Sequence, residues 1–439
     1  MTEAGQATRL AAVKLVHHVL AQRKPLDGEA FGLITRSLER RDRGHARAIA
    51  LTVLRRKGQL DALLDVFIKK PLGQRQALVI SILRVALAQI LFLNTAPHAA
   101  VNLAVVHAAA HPRTRPWKGL VNAVLRAAVR EGPELIIEQD EATLNTPDWL
   151  MASWARAYGE TASRAIAQAH LEEPPLDLTV KPSSSFPVAS LPEGVQLGST
   201  LRLSRRGVVE ALPGYNEGAW WVQDAAAAIA ISLMGSVAGQ QIFDLCAAPG
   251  GKTAQLAALG AHVTAVDVSA RRLELLATNL SRLCLEAQLV MADAEQWQPD
   301  TPPKQASAVL LDAPCSATGT MRRHPDIAWL KQPDDVTTMA ALQRRLLDHA
   351  ATLTAPGGVL LYCVCSLQPE EGEYQAADFL SRQPQFQRHP VKITDINITG
   401  LGEVLISPQG DVRSLPCHLT DQGGMDGFFV ARFRRDLVL

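Results

Sequence analysis

The sequence predicts an α/β protein in which a Rossmann-like, doubly wound parallel sheet follows an all-helical domain and a small α+β connector. Two patterns support this fold class. Over residues 7–130 apolar residues recur at intervals of three and four, which is the period of a helix. From about residue 215 short apolar runs alternate with helical stretches, as expected when helices cover both faces of a parallel sheet. We expect domains at residues 1–140, 141–214 and 215–439.

The first domain should contain several helices that are separated at prolines. Proline disfavours helical backbone at the residue before it. Breaks are therefore expected at Lys24-Pro25, Lys70-Pro71, Ala96-Pro97 and between residues 111 and 116. The pair Gly132-Pro133 should end the domain.

The connector is acidic and is interrupted by prolines. Helices are predicted near residues 149–158 and 161–170. After Pro174-Pro175 the chain should change to short strands, of which residues 176–180 are the first.

The last domain should contain five strands with helices between them and one further strand near its end. The predicted strands are 241–245, 262–266, 287–291, 307–311, 359–362 and 427–433. The predicted helices are 252–259, 271–283 and 336–353.

Charge is distributed unevenly along the chain. The net charge is +1, but residues 1–130 hold 21 Lys and Arg against 7 Asp and Glu, a net charge of +14, which leaves −13 on the rest. Such a basic region attracts polyanions, which makes nucleic acid the expected partner, although a solvated helical surface rich in Arg remains an alternative. The apolar runs are too short to span a bilayer, and six cysteines in 439 residues are too few for a disulfide framework. We expect a cytoplasmic protein with reduced thiols and no membrane partner.

A ligand loop is predicted where the first strand of the last domain ends. Residues 244–253 read DLCAAPGGKT, a strand followed by a glycine turn that opens a helix. A phosphate-binding Walker loop would need glycine at Cys246, and the dinucleotide pattern G-x-G-x-x-G is absent. Asp267, Asp293 and Asp312 follow the next three strands, where a carboxylate can accept from a ribose diol or an adenine amine. Each acid alone could equally be a helix cap or a turn residue, but together they indicate a nucleoside-bearing ligand.

Two cysteines follow the fourth and fifth strands. Cys315 lies in residues 312–319, which read DAPCSATG, and Cys365 lies in residues 362–366, which read YCVCS. Adjacent strand ends would bring Cys315 and Cys365 across one cleft. The alternative for any cysteine is a small buried apolar residue, which we expect for Cys246 and Cys363 and also for Cys284 and Cys417. A metal site is not expected, because Cys363 and Cys365, like His107 and His111, lack further ligands.

These blocks resemble those of the RNA cytosine-5 methyltransferases related to the Nol1, Nop2 and Sun proteins. The resemblance runs essentially from end to end and includes residues 118–126, 149–159, 222–224 and 426–429. It is strongest to the bacterial branch that acts on small-subunit ribosomal RNA and carries a helical N-terminal domain similar to the antitermination factor NusB. One departure is Val364, where the family usually has threonine before the nucleophile.

The resemblance implies a class I methyltransferase domain that uses S-adenosylmethionine. The residues implied to hold this cofactor are Cys246, Ala247, Ala248, Pro249, Gly250, Gly251, Lys252, Asp267, Asp293 and Asp312. Cys365 would be the nucleophile that adds to carbon 6 of cytosine, because carbon 5 is too weak a nucleophile to take a methyl group directly. Cys315 would help to release the product, and Asp312 would also contact the ring edge near N3. The expected state is a metal-free monomer.

The expected substrate is one cytosine of 16S ribosomal RNA, free or partly assembled into a small subunit, and flipped into the site. Two alternatives remain. The same chemistry could act on tRNA, or the chain could be a non-catalytic RNA-binding factor that works through its NusB-like domain. The presence of both Cys315 and Cys365 argues against the second alternative, since a protein without catalysis needs neither.

Overall fold

A computed structural model describes residues 3–182, 184–204, 208–396, 398 and 401–437. The chain forms two compact units. The first, called the helical unit, comprises the chain up to Glu172 together with Met321–Gln332. The second, called the sheet unit, comprises Glu173–Thr320 and the chain from Pro333 onwards.

The described residues contain seventeen α-helices and twelve strands. The helices are α1 (Glu3–Leu20), α2 (Glu29–Thr35), α3 (Arg40–Arg55), α4 (Lys57–Phe67), α5 (Ala77–Leu91), α6 (Pro97–Ala110), α7 (Lys118–Ile137), α8 (Glu141–Leu144), α9 (Asp148–Tyr158), α10 (Glu160–His170), α11 (Ala225–Ser232), α12 (Gly251–Ala258), α13 (Ala270–Leu283), α14 (Ile327–Leu330), α15 (Pro333–Leu353), α16 (Glu373–Arg382) and α17 (Gly402–Leu405). The strands are β1 (Leu176–Val180), β2 (Gly194–Leu197), β3 (Thr200–Leu203), β4 (Trp220–Val222), β5 (Gln241–Leu245), β6 (His262–Asp267), β7 (Gln288–Met291), β8 (Ala306–Asp312), β9 (Thr354–Val364), β10 (Phe386–Arg388), β11 (Val412–Ser414) and β12 (Phe428–Arg435).

Helix α5 is the central apolar helix of the helical unit. It contacts α1, α3, α4, α6 and α7 and buries residues on most of its circumference. By length and composition, Gln74–Leu91 is also the one described segment that could cross a membrane. Half of this segment is buried inside the protein. Because α5 packs against five other helices, its apolar composition is that of a core helix.

The structure corrects the predicted end of the first domain. Helix α7 continues through Gly132 and Pro133 to Ile137, so the prediction that this pair ends the domain was wrong. Proline removes one hydrogen bond of the helix, but α7 is held by a buried apolar face that includes Val121 and Leu125. Gly132 continues that face, since a Cβ at this position would lie 3.3 Å from the side chain of Leu91.

The residues predicted as a connector are divided between the two units. Helices α9 and α10 belong to the helical unit, where the fully buried Trp154 lies 5.3 Å from the ring of His170. The strands belong to the sheet unit and form an antiparallel sheet in the order β2-β3-β1-β4. Arg202 and Asp177 form a buried bidentate ion pair between its central strands, at 2.8 Å for both hydrogen bonds.

A short segment that is distant in sequence completes the helical unit. Met321–Gln332 follows the Cys315 block directly along the chain, yet its residues Trp329 and Leu330 pack against the apolar core of the helical unit. The Trp329 indole donates to the backbone oxygen of Leu54 at 2.7 Å, and the backbone N–H of Leu26 donates to Asp326 at 3.0 Å. No sequence pattern that we used predicted this insertion.

The main sheet confirms the predicted Rossmann-like class. Its order is β10-β12-β9-β8-β5-β6-β7, with β11 paired to β12. The five strands β5 to β9 pair in parallel, while the late strand β12 runs antiparallel between β9 and β10. Alternate residues of β5 enter different cores, with Ile242 on one face and Phe243 and Leu245 on the other, so both faces of the sheet are covered.

The strand order reverses between β5 and β8. From β5 the chain proceeds outwards through β6 and β7, and it then returns to place β8 and β9 on the opposite side of β5. Ligands of open α/β sheets bind beyond the carboxyl ends of the strands at such a reversal. Both the glycine loop after β5 and the residues after β8 lie at this reversal.

Candidate active site

Two cysteines meet at the carboxyl ends of adjacent strands. β8 and β9 pair in parallel, with Asp312 opposite Cys363. Cys315 follows β8 by three residues, and Cys365 comes directly after β9. Their Sγ atoms lie 3.4 Å apart, within hydrogen-bonding distance for sulfur. The structure thus brings together the pair that the sequence predicts.

Backbone hydrogen bonds hold the two cysteine-bearing loops against each other. The N–H of Ala313 donates to the Cys363 oxygen at 2.9 Å, and the N–H of Gly319 donates to the Cys365 oxygen at 3.0 Å. Gly427 then donates to the oxygen of Gly319 at 2.8 Å. A Cβ at Gly319 would overlap the carbonyl oxygen of Gly427, so the close approach of these backbones requires glycine.

The surroundings of Cys315 favour its protonated form. Its hydrogen bond with Cys365 and its burial raise the pKa of the Cys315 thiol well above the ordinary value. The nearby charge of Glu371 acts in the same direction. Cys315 should therefore remain a thiol at neutral pH.

The glycine loop after β5 has the conformation that its small residues allow. Cys246 adopts a left-handed backbone conformation with φ 61°, and burial raises the pKa of its thiol to about 12. Gly250 precedes the first turn of α12 with φ 99°, where a Cβ would lie 2.5 Å from the side chain of Leu276. The loop therefore reaches the start of α12 by a route that depends on glycine at position 250.

Asp267 is buried beneath this loop. Its Oδ2 accepts from the backbone N–H of Ala248 at 3.1 Å, and its Oδ1 accepts from that of Ser269 at 3.0 Å. Arg272 lies 3.4 Å from Oδ2 and also donates to the oxygen of Ala248. In this structure Asp267 shapes the glycine loop. A ligand hydroxyl could still donate a hydrogen bond to the remaining lone pairs of its carboxylate.

Lys252 and Asp312 form an ion pair across the point where the strand order reverses. The Lys252 Nζ lies 2.7 Å from Asp312 Oδ2 and 4.8 Å from the centre of the Phe428 ring. Burial alone would lower the pKa of the Lys252 ammonium, but the Asp312 carboxylate outweighs it and raises that pKa above its ordinary value. Cys363 and, to a smaller extent, Cys365 are near enough to add to the rise. Lys252 is therefore a buried cation close to the cysteine pair, a role for its side chain that the sequence analysis did not predict.

The third predicted acid, Asp293, is exposed. Its Oδ1 accepts from the backbone N–H of Glu295 at 2.9 Å, the turn-forming contact that was the alternative expected for a single acid. Two apolar side chains near it are also exposed, Val268 after β6 at 71% and Met291 at the end of β7 at 66%. Both side chains lie at the carboxyl ends of the strands, where ligands of such sheets bind. Their exposure was not apparent from the sequence, because apolar residues at strands are usually buried.

The other cysteines have different environments. Cys363 is buried as expected, whereas Cys246 is only half-buried. Cys284 is exposed, so the expectation that it is a buried apolar residue was wrong. It ends α13 in a left-handed conformation with φ 51°, which turns the chain at the surface. Within the described ranges, no group of three or more His, Cys, Asp or Glu could hold a metal ion.

Glu371 is a further buried residue of this region. Its carboxylate accepts hydrogen bonds from Ser316 and Ser366, the residues that follow Cys315 and Cys365. Glu371 was not among the residues predicted for the site. The only available signal was its distance of six residues from Cys365.

Comparisons with known proteins agree with this arrangement. The sequence model of the 16S rRNA methyltransferase RsmB/F family matches residues 231–434, and that of the NusB family matches residues 6–130. A ribosomal RNA small subunit methyltransferase B from Pasteurella multocida (strain Pm70) is 34% identical, over 98% of this chain and 96% of its own length. The protein of the same name from Pseudomonas putida (strain KT2440) is 36% identical, over 97% of both chains.

Solved structures show the same fold. The crystal structure of PH0851 has a TM-score of 0.73 at 23% identity and covers 97% of this chain and 99% of its own. NSun6 from Pyrococcus horikoshii with SFG has a TM-score of 0.52 at 19% identity and covers 66% of this chain and 98% of its own. The near full-length relatives, the two sequence models and the paired cysteines lead to one conclusion: the chain belongs to the RsmB/F family of 16S rRNA methyltransferases and carries an N-terminal NusB-family region.

Proposed function

We propose that this protein methylates carbon 5 of a cytosine in small-subunit ribosomal RNA, with S-adenosylmethionine as methyl donor and Cys365 as covalent nucleophile. The observation that carries the proposal is the pair of sulfur atoms 3.4 Å apart at the ends of adjacent strands. A reaction that forms and then breaks a bond to sulfur can use two thiols with different roles. The names of the relatives supply the ribosomal RNA substrate.

The chemistry explains why a nucleophile is needed. Addition of the Cys365 thiolate to carbon 6 moves electron density to carbon 5, which can then form a bond to an electrophilic methyl group. S-adenosylmethionine supplies that methyl group when bound. A water molecule accepts the proton from carbon 5, the double bond between carbons 5 and 6 forms again, and the bond from carbon 6 to sulfur breaks to return the Cys365 thiolate.

The two cysteines are assigned by their surroundings. Cys315 stays protonated, which makes it a poor nucleophile and leaves its S–H free to donate, weakly, to a departing sulfur. Cys365 comes directly after β9 and lies near the buried ammonium of Lys252. Asp312 is paired with the same ammonium and would position it while facing the ring edge of the base.

The residues after β5 to β8 fit a nucleoside-bearing cofactor. Exposed Val268 and Met291 offer apolar contact to an adenine face, and Asp293 lies beside Met291 as an exposed acceptor. At Gly251 a Cβ would meet nothing closer than 3.7 Å, so the loop leaves space at the start of α12. Together with the backbone of residues 246–252, Asp267 and Asp312, these residues would hold S-adenosylmethionine.

RNA is the expected partner of the basic helical unit. Its residues 1–130 carry a net charge of +14, which would neutralise phosphates and release their counterions. With a ribosomal RNA substrate, free or partly assembled, the protein would work in the cytoplasm. We expect it to act there as a monomer.

A trapping experiment tests the assignment of the nucleophile. Wild type, Cys315→Ala, Cys365→Ala and the double variant are incubated with 16S RNA and S-adenosylmethionine carrying a labelled methyl group. Cys315→Ala should transfer the methyl group and then stall, giving a protein–RNA adduct that survives denaturing electrophoresis and requires the cofactor. Cys365→Ala should give neither methylation nor adduct while still binding the cofactor in calorimetry. An adduct from Cys365→Ala, with none from Cys315→Ala, would reverse the two roles.

Product analysis tests the position and the substrate. Bisulfite sequencing of RNA from cells with and without the gene should show one cytosine of 16S RNA that resists conversion only when the gene is present. Loss at a tRNA cytosine instead would refute the proposed substrate while leaving the chemistry intact.

A further inference from the structure

Glu371 carries a carboxylate that lies fully buried between the two cysteine-bearing loops. Its Oε1 accepts from the backbone N–H of Ser316 at 2.7 Å and from the amide of Gln343 at 3.2 Å. Its Oε2 accepts from the hydroxyls of both Ser316 and Ser366. One side chain thus bonds to the residue after Cys315 and to the residue after Cys365.

Further hydrogen bonds connect the same two loops around Glu371. The Ser316 and Ser366 hydroxyls lie 3.1 Å apart, and the Thr318 hydroxyl lies 3.3 Å from that of Ser366. The backbone N–H of Leu367 donates to Thr318 at 3.0 Å. The loops are therefore joined by a polar network with Glu371 at its centre, in addition to their backbone hydrogen bonds.

Glu371 is itself held in place. The Tyr362 hydroxyl donates to its backbone oxygen at 2.5 Å. Gln343 of α15 donates both to Glu371 and, at 2.8 Å, to the backbone oxygen of Pro314, which precedes Cys315. The carboxylate position is thus determined by β9 and α15 and can serve as a fixed point for the loops.

Burying a carboxylate has a large free-energy cost, which hydrogen bonds must offset. Burial raises the pKa of Glu371, and the hydrogen bonds from Ser316, Ser366 and Gln343 oppose that rise. The four donor groups are the Ser316 N–H, the Ser316 hydroxyl, the Ser366 hydroxyl and the Gln343 amide, and none of them carries a charge. An apolar side chain at this position would leave these buried donors without their acceptor, so the hydrogen bonding of both loops depends on the carboxylate.

We propose that Glu371 is a positioning residue for the two-cysteine reaction, because it accepts hydrogen bonds from both loops and thereby keeps the Cys315 thiol against Cys365. The inference rests on the proposed function. Glu371 should hold the two loops to different degrees, since two of its three hydrogen bonds to them come from Ser316. Ser366 has a second support, because Arg413 donates to its backbone oxygen at 2.5 Å while paired with Glu373. Loss of Glu371 should therefore displace Cys315 more than Cys365.

The expected consequence concerns the release step. In Glu371→Ala, Cys365 should still add to the base and the methyl group should still be transferred, but elimination should slow. We expect turnover at least about tenfold below wild type, together with accumulation of the cofactor-dependent adduct that Cys315→Ala also gives. A general loss of structure would lower turnover without raising the adduct fraction.

The test compares Glu371→Ala, Glu371→Gln and Ser316→Ala with wild type and Cys315→Ala, using 16S RNA and labelled S-adenosylmethionine. Glu370→Gln is the matched control, because its Oε2 makes no hydrogen bond within the described chain. Glu371→Gln should lie between wild type and Glu371→Ala, since its oxygen can accept from the Ser316 N–H while the two hydroxyls rotate to accept from its amide. Melting temperatures are recorded for all variants.

Three results would overturn the inference. These are wild-type turnover in Glu371→Ala, loss of turnover without adduct, and an adduct fraction in Glu370→Gln equal to that of the Glu371 variants. If Glu371→Ala does not fold, Glu371→Gln and Ser316→Ala must each exceed the adduct fraction of Glu370→Gln, and failure to do so overturns it equally. Absence of adduct in Cys315→Ala would instead refute the proposed function, so the two failures are distinguishable.

Discussion

Asp244 should make the stability of the sheet unit depend on pH. It lies in β5 beneath the glycine loop and is fully buried. The Thr253 hydroxyl donates to its Oδ2 at 2.6 Å, while its Oδ1 has no hydrogen-bond partner within the described chain. Burial raises the pKa of Asp244 to about 7; the hydrogen bond from Thr253 and the charge of Lys252 oppose this rise, and the charges of Asp312 and Asp267 add to it.

The direction of the effect follows from the two pKa values. An unfolded aspartate has a pKa near 3.8, so between about pH 4 and pH 7 the folded chain holds a proton at Asp244 that the unfolded chain has lost. The free energy of unfolding therefore falls as pH rises through this window. Because one pKa unit corresponds to about 1.4 kcal/mol, the loss from this site between pH 5 and pH 8 is about 3 kcal/mol.

Asp244→Asn removes this titration and keeps an oxygen that can accept from Thr253. Urea unfolding of wild type and variant at pH 5 and pH 8 should show that the variant gains about 3 kcal/mol relative to wild type at the higher pH. Asp293→Asn, at an exposed acid, is the control. A stability difference between wild type and Asp244→Asn that is the same at both pH values would refute the reasoning.

Three further predictions concern the cysteine loops, the buried ion pair and RNA binding. Gly319→Ala should abolish most turnover, because its Cβ would overlap the Gly427 oxygen and part the loops; Gly119→Ala, where a Cβ meets nothing within 4 Å, should retain it. Asp312→Asn should lower the free energy of unfolding by about 2 kcal/mol in urea denaturation, less than the full cost of breaking a buried pair because the Asp312 side chain is 32% exposed. An unchanged free energy of unfolding would mean that the Lys252 ammonium is solvated in the folded protein. Replacing exposed Arg41, Lys69 and Lys70 by alanine should reduce the slope of log affinity for RNA against log salt by up to about 2.7, since each phosphate contact contributes about 0.7 to 0.9. An unchanged slope would show that these cations only solvate the surface.

Residues close in sequence were predicted well where local chemistry determines the outcome. The strand at residues 241–245 and the glycine turn after it were both predicted, because an apolar run followed by glycine has few other conformations. The meeting of Cys315 and Cys365 was also predictable, since neighbouring parallel strands bring their carboxyl ends together. Pro133 inside α7 was not predicted, because packing of the helix face outweighed the local preference of proline.

The fold class, the ligand-binding end of the sheet and the identity of the two cysteines can be predicted from the residues alone, because strand period, glycine and thiol chemistry are properties of residues and their spacing. The groups that surround those cysteines follow from contacts between distant parts of the chain. Lys252 meets Asp312 across 60 residues, Ser316 meets Glu371 across 55, and Met321–Gln332 joins helices that lie about 300 residues earlier. Such contacts depend on strand order and on burial, which no local pattern encodes.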